Sequence, residues 1–253
     1  MEENEISDQV EGRNSVLELL ESDNDINKLY VQSGEKHGAI IKIIAKAKEK
    51  KVVISEIDKN KLDQMSETHN HQGVIAIVPP YNYSSVEEIL ELAKSKKEKP
   101  FVIICDGIED PHNLGSIIRT AECVGAHGVI IPKRRSAAVN ATVNKTSAGA
   151  VAYVKVARVT NLNDTIKELQ DNGVWIYGTD MDGTDNYNEV KYDSGVGIVV
   201  GSEGFGMSRL VKENCDFLVR IPMAGKINSL NASVSASIVM YEVMNQRKNK
   251  GRM

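Results

Sequence analysis

Apolar residues recur along the chain in short segments over the first 78 positions and in longer ones after Phe101. In the first stretch, Asn14 to Leu20 has helical spacing and Lys28 to Gln32 (KLYVQ) reads as a strand. Ala39 to Lys50 sets Ile40, Ile43, Ile44 and Ala47 at helical spacing, with lysines between them. Val52 to Ile54 reads as a second strand, and Lys59 to Thr68 as a short helix. Gly73 to Val78 (GVIAIV) is a third strand, stopped by Pro79-Pro80. Residues 1–78 are therefore expected to form a small α/β domain.

Residues 79–100 read as a linker. Pro79 to Ser85 has no periodicity, Val86 to Ala93 is amphipathic, and Lys94 to Lys99 is charged. From Phe101 the segments lengthen. Apolar runs at 101–105 (FVIIC), 128–131, 174–178, 196–200 and 217–221 are separated by helical patterns at 113–124, 162–171, 207–214 and 229–246. Continuous Val/Ile runs alternating with helices predict a parallel sheet covered on both faces. The expected class is α/β, with residues 101–253 as the larger domain. Ligands of such sheets bind beyond the carboxyl ends of the strands.

Composition adds little to this picture. Of 253 residues, 41% are apolar and 26% charged, ordinary values for a globular protein. Three scattered cysteines without a CxxC pair argue against a disulfide framework or a zinc site, and for a reducing compartment. The acidic start MEENEISDQVEGR has no hydrophobic leader, and no apolar run approaches the ~20 residues of a membrane span. A cytoplasmic location is expected. His69-Asn70-His71 has no carboxylate or cysteine placed to complete a metal site, so no metal is expected. Net charge is −4. It divides as −5 over residues 1–80, zero over 81–100 and +1 over 101–253, so neither half is basic. Lys46 to Lys51, Lys133-Arg134-Arg135 and Arg247 to Arg252 are local basic clusters, a pattern usual for solvated surface.

Three segments of the second region carry candidate chemistry. DGIEDPHNLGSIIRT, Asp106 to Thr120, follows the first apolar strand. Asp110, Pro111 and Asn113 suit a helix start, whereas Arg119 interrupts an otherwise apolar helix. IVVGSEGFGMS, Ile198 to Ser208, joins a strand to a helix through glycines at 201, 204 and 206, which let a backbone approach a ligand closely. It is neither a Walker loop nor a dinucleotide fingerprint, and Glu203 would repel a phosphate. IPMAGKINSLNASVSASIVMYE, Ile221 to Glu242, ends a strand and opens a helix at Ser229 or Asn231. That helix is rich in small residues, which suits a closely threaded chain or a dimer interface.

In their order and content these segments resemble the three signature motifs of the SpoU, or TrmH-like, RNA ribose 2′-O-methyltransferases. Asn113-Leu114-Gly115 with Arg119-Thr120 is similar to the first motif. Gly201-Ser202-Glu203-Gly204-Phe205-Gly206-Met207-Ser208 is similar to the second. Ile221-Pro222-Met223, Gly225 and Ser229-Leu230-Asn231 are similar to the third. The resemblance implies a fold that periodicity cannot supply, a SPOUT-type parallel sheet whose C-terminal part is threaded into a trefoil knot. It also implies S-adenosylmethionine as cofactor and a homodimer formed through the C-terminal domain, with Ser229 to Arg247 contributing. Glu11-Gly12-Arg13-Asn14-Ser15-Val16, His71-Gln72-Gly73-Val74 and the stretch Arg134 to Ala150 look like RlmB-type enzymes, which methylate a guanosine ribose in 23S ribosomal RNA. On that likeness the first domain binds RNA.

The resemblance assigns catalytic roles to Arg119, Asn113, Glu203, Ser229 and Asn231. It assigns cofactor contacts to Thr179, Gly201, Ile221, Met223, Ser229, Leu230 and Asn231. The family's motif-one arginine has been given the part of general base. Arginine keeps its proton below pH ~12, so Arg119 could instead position an RNA phosphate while another group or water takes the proton. Asn113, Glu203, Ser229 and Asn231 would orient Arg119 and the ribose. Three rivals remain: a relative acting on transfer RNA or another ribosomal nucleotide, a non-catalytic RNA-binding protein, and a nucleotide-dependent dehydrogenase. Intact Arg119, Glu203 and Asn231 argue against the second, and the absence of GxGxxG after the first strand against the third.

Overall fold

Strand pairing divides the chain into two sheets. The computed structural model describes residues 8–21, 26–66, 69–78, 81–227 and 229–250. Pro79-Pro80 and the expected helix end at Thr68 lie outside the described residues. Two units emerge, Met1–Asn82 with Val139–Lys145, and Tyr83–Ala138 with Thr146–Met253.

The first unit runs β1 (Asp8–Glu11), α1 (Arg13–Glu21), β2 (Lys28–Gln32), α2 (Ala39–Glu49), β3 (Ile54–Ile57), α3 (Lys59–Met65) and β4 (Val74–Val78). Its sheet has the order β1-β4-β2-β3, antiparallel except for β2 with β3. Helix α2 buries Ile40, Ile43 and Ala47 against Leu29, Val31 and Val74, and its lysines stay outside. Asp58 caps α3 by accepting from the Lys61 N–H at 3.0 Å. Strand β3 starts where the expected strand ends, because register with β2 pairs Leu29 with Ile54 and Gln32 with Ile57. Strand β1 has no apolar pattern of its own. It forms by pairing with β4.

The chain continues through α4 (Val86–Ser95), β5 (Phe101–Asp106), α5 (Pro111–Cys123), β6 (Gly128–Pro132), α6 (Ala141–Thr146), a 3-10 turn (Ala150–Ala152), β7 (Lys155–Val159), α7 (Leu162–Asp171), β8 (Val174–Thr179), β9 (Asp185–Asn186), β10 (Gly195–Gly201), α8 (Arg209–Glu213), β11 (Phe217–Arg220) and α9 (Ala232–Lys250), all in the second unit except α6. Residues of α6 as far as Lys145 group with the first unit. Helix α4 falls inside the stretch read as a linker. It is closed by a Ser85/Glu88 capping box, and Val86 and Ile89 lie in the core of the second unit.

The sheet order is β7-β6-β5-β10-β8-β11-β9, all parallel. Residues Phe101 to Cys105 and Gly195 to Val200 are buried throughout, as central strands require. From β5 the chain winds outward through β6 and β7. It then crosses to β8 and returns to β10, which lies between β5 and β8. The carboxyl ends of β5 and β10 thus lie side by side, with Gly201 in register with Asp106, where the winding direction changes. Helix α9 packs along α5, with the Thr120 and Ser237 hydroxyls bonded at 2.9 Å. Buried Ala232, Ser233 and Ala236 let the two helices approach closely. At the far end of α9, Arg247 donates to the carbonyls of Lys99, Pro100 and Ser194 at 3.0, 2.9 and 2.8 Å. Its guanidinium is therefore spent within the fold. Among the described residues, no helix is long and apolar enough to cross a membrane.

Candidate functional site

The site is assembled at the carboxyl ends of β5 and β10. Helix α5 opens just beyond β5. Asp110 caps it, accepting from the His112 N–H at 2.9 Å, and Pro111 fills its first turn. This start turns Asn113 inward, where it is 7% exposed. Its Nδ2 donates to Glu203 Oε1 at 3.0 Å, and its Oδ1 accepts from Asn231 Nδ2 at 2.9 Å. Asn231 Nδ2 also donates to Glu203 Oε1. Its Oδ1 accepts from the N–H groups of Ser233 and Val234 and from the Ser233 hydroxyl, so Asn231 caps α9 as well. One residue from each of the three segments therefore meets in a single hydrogen-bonded cluster.

Glu203 is delivered by a rigid loop. Ser202 and Gly206 exchange backbone hydrogen bonds at 3.0 and 2.9 Å. Gly206 closes the loop at φ +66°. A Cβ on Gly201 would lie 2.2 Å from the Gly206 carbonyl carbon and 2.3 Å from the Met207 nitrogen. Only glycine fits there. Asp106 anchors the far end of the loop, its Oδ2 accepting from the Ser208 N–H at 2.6 Å. Asp106 had no role in the sequence reading. The signal that could have found it is a carboxylate closing an otherwise apolar strand.

Strand β8 lies beside β10, and β11 beside β8, so the loops leaving all three emerge from the same edge of the parallel sheet. Thr179 ends β8, and its hydroxyl donates to the Val199 carbonyl at 2.9 Å. Asp180 follows it, held by the Val219 carbonyl through its N–H at 3.0 Å and by Lys212 through its carboxylate at 2.8 Å. Ile221 is half-buried, while Met223 and Leu230 leave 39% and 37% of their surface exposed. Ser229 is exposed. Arg119 is exposed on α5, and among the described residues it makes no hydrogen bond or ion pair. The expected hydrogen-bonded orientation of Arg119 by Asn113, Glu203, Ser229 and Asn231 is thus not present. Asn113, Glu203 and Asn231 bond to one another, and Arg119 and Ser229 stand outside the cluster. Burial pushes the thiols of Cys105 and Cys215 up to about 12, so neither is a thiolate at neutral pH.

In the first unit, the two short motifs also come together. Arg13 Nε donates to the Gln72 carbonyl at 3.0 Å. His71 accepts from the Gly73 N–H on Nδ1 at 2.9 Å, which leaves Nε2–H to donate to Asp63 at 2.8 Å. A cavity of about 450 Å3 is lined by Gly12, Arg13, Asn14, Asn70 and Gln72.

Two family models match the chain. Residues 100–241 match the SpoU rRNA Methylase family, and residues 9–84 match the RNA 2′-O ribose methyltransferase substrate binding family. "Putative TrmH family tRNA/rRNA methyltransferase YacO" of Bacillus subtilis (strain 168) is 46% identical over 96% of this chain and 98% of its own. A Staphylococcus epidermidis protein named "Putative TrmH family tRNA/rRNA methyltransferase" is 51% identical over 93% of this chain and 94% of its own. Among solved structures, the SpoU methyltransferase AviRb from Streptomyces viridochromogenes, in complex with AdoMet, shares the fold. Its TM-score is 0.62 at 22% identity, covering 96% of this chain and 91% of that one.

Proposed function

The chain belongs to the SpoU family of RNA methyltransferases, and from that premise we propose that it methylates the ribose 2′-OH of a guanosine in 23S ribosomal RNA, with S-adenosylmethionine as donor. The observation that carries the reading is the Asn113–Glu203–Asn231 cluster at the carboxyl ends of β5 and β10. Ligands of open parallel sheets occupy this place.

The residues present fit the cofactor. Thr179 and Gly201 end β8 and β10 and Ile221 follows β11, where main chain leaving the sheet would offer hydrogen bonds, and Ile221, Met223 and Leu230 would offer apolar surface to an adenine. When bound, the cofactor supplies a methyl group on a sulfonium. Gly201 carries no side chain because the Gly206–Met207 backbone packs into that space, and this tight closure holds the loop that carries Glu203. Glu203, held by two amides, has its second oxygen available to accept from a ribose hydroxyl. A carboxylate in this position orients a hydroxyl and repels a misplaced phosphate. Arg119 is exposed, and a guanidinium is a poor general base near neutral pH, so in this reading it holds an RNA phosphate beside the reacting ribose while water takes the 2′-OH proton. Ser229 and Leu230 lie on the same loop as Asn231 and line the cofactor side. Positioning of this kind can lower a barrier by several kcal/mol.

Residues 9–84, with the cavity at Gly12 to Asn14, read the RNA around the target. We take residues 1–78 as the RNA-binding domain and 101–253 as the catalytic one, with α4 of the intervening stretch packed into the core of the second unit. Val234 and Tyr241 are exposed seven residues apart on one face of α9, which supports a homodimer through the C-terminal domain. A ribosomal RNA substrate places the enzyme in the cytoplasm. The relatives' names also cover tRNA, so methylation of a tRNA ribose is the second reading. Mapping 2′-O-methylation across total RNA, with and without the gene, tests both. A lost mark on a 23S guanosine supports the first reading, and a lost tRNA mark with 23S unchanged replaces it with the second.

A further inference from the structure

Phe205 occupies the tip of the Ser202–Gly206 loop and is 98% exposed. A phenyl ring so placed gains nothing from its own fold. The loop beneath it is locked by the paired Ser202 and Gly206 backbones, so the ring is presented rather than free to fold back. Phe205 lines a cavity of about 850 Å3 together with Asn113, Glu203, Asp106, Arg134 and Arg135. Among the described residues, neither Arg134 nor Arg135 makes a hydrogen bond, ion pair or ring contact, and both are exposed. The nearby carboxylates are mostly engaged. Asp106 accepts from the Ser208 N–H, Asp110 from the His112 N–H, and Glu203 from Asn113 and Asn231. Glu109 remains exposed at the rim.

We propose that Phe205 stacks on an unpaired RNA base adjacent to the methylated nucleotide, while Arg134 and Arg135 hold the phosphates that flank it. This deepens the RNA-methyltransferase reading and rests on it. Every base offers a flat face to an aromatic ring, and a single strand must be splayed to expose one ribose. The paired guanidiniums attract a polyanion. They would repel the cationic sulfonium cofactor, which argues against Phe205 as an adenine contact. The arrangement sets a stacking platform, a basic track and the positioned carboxylate around one cavity.

The test uses the full chain, a short 23S rRNA fragment containing the mapped target, and the variants Phe205→Ala, Phe205→Leu and Phe205→Trp. Because the side chain is fully exposed, thermal melting should be unchanged in all three. Stacking contributes about 1–3 kcal/mol per base, so Phe205→Ala and Phe205→Leu should weaken RNA binding about 5- to 150-fold. Phe205→Trp should stay near the unsubstituted level, and its added fluorescence should be quenched by RNA above the Trp175 background. Cofactor affinity should not change. Arg134→Ala and Arg135→Ala should each reduce the slope of log Kd against log salt by about 0.7, the value for one phosphate on a single strand. RNA affinity unchanged in Phe205→Ala, or restored by Phe205→Leu, would overturn the stacking role. A loss of cofactor affinity would reassign Phe205 to the cofactor side. If the unsubstituted enzyme methylates no RNA ribose, the failure lies with the underlying function instead.

Discussion

The Asn113–Glu203 contact allows a quantitative test of the site. Asn113 is 7% exposed and makes two hydrogen bonds, one to the Glu203 carboxylate at 3.0 Å and one from Asn231 at 2.9 Å. A bond to a charged acceptor is worth about 1.5–3 kcal/mol, and a neutral one about 0.5–1.5. Glu203 is exposed, so water recovers part of its loss when Asn113 is removed. Asn113→Ala should therefore cost about 2 kcal/mol, near the lower end of the sum. If the cluster shapes the transition-state geometry, kcat/KM should fall about 30-fold. For a unit of this size the melting midpoint should fall by about 4–8 °C. The decisive assay is a double-mutant cycle with Asn113→Ala and Glu203→Ala, measured as single-turnover methyl transfer at saturating cofactor. The double variant should be about 5- to 30-fold more active than the product of the two single effects predicts, a coupling of about 1–2 kcal/mol. Additivity within about 0.5 kcal/mol would refute the view that the two side chains act as one unit.

The remaining predictions address other parts of the molecule. Arg119→Ala should abolish methyl transfer yet leave cofactor affinity within a few fold and stability within about 0.5 kcal/mol, because the side chain is exposed and unpaired among the described residues. Calorimetry that shows lost cofactor binding would reassign it. Gly201→Ala drives a Cβ into the Gly206–Met207 backbone and should destabilise by about 1–3 kcal/mol, so an unchanged melting curve would contradict the loop geometry. Burial holds the His127 pKa below its ordinary value, with Glu98 opposing. The folded state therefore disfavours the imidazolium. Stability from this group is full above about pH 6.5 and declines as pH falls through the lower folded value. Between pH 7 and 5 the unsubstituted protein should lose more thermal stability than His127→Asn, and equal slopes would count against a buried neutral ring. A dimer through α9 should be seen by light scattering at micromolar concentration and be weakened by Tyr241→Glu. A monomeric unsubstituted protein would remove that proposal.

Local chemistry in the chain determined much of this protein. Periodicity placed α2, α5, α7 and the buried strands β5, β6, β8 and β10 close to where they occur, since an apolar face or a continuous Val/Ile run carries its own period. Asp110 was legible as a cap from its side-chain chemistry, whereas the choice between Ser229 and Asn231 was made by the structure, in which Asn231 accepts from the Ser233 and Val234 N–H groups. The three motifs supplied the family, because their residue types and spacing are specific. What depends on pairing partners was not legible. Strand β1 and edge strand β7 (KVARV) alternate too weakly to be read alone and exist because β4 and β6 present open edges to them. The shift of β3 was decided by its register with β2. The site itself is tertiary. Asn113, Glu203 and Asn231 are 90, 28 and 118 positions apart in their pairings, and they meet because β10 inserts beside β5 and aligns Gly201 with Asp106. The same packing leaves Arg119 outside the cluster and spends Arg247 on three carbonyls. A local pattern records which residues can bond, whereas strand order and helix packing decide which of them face one another.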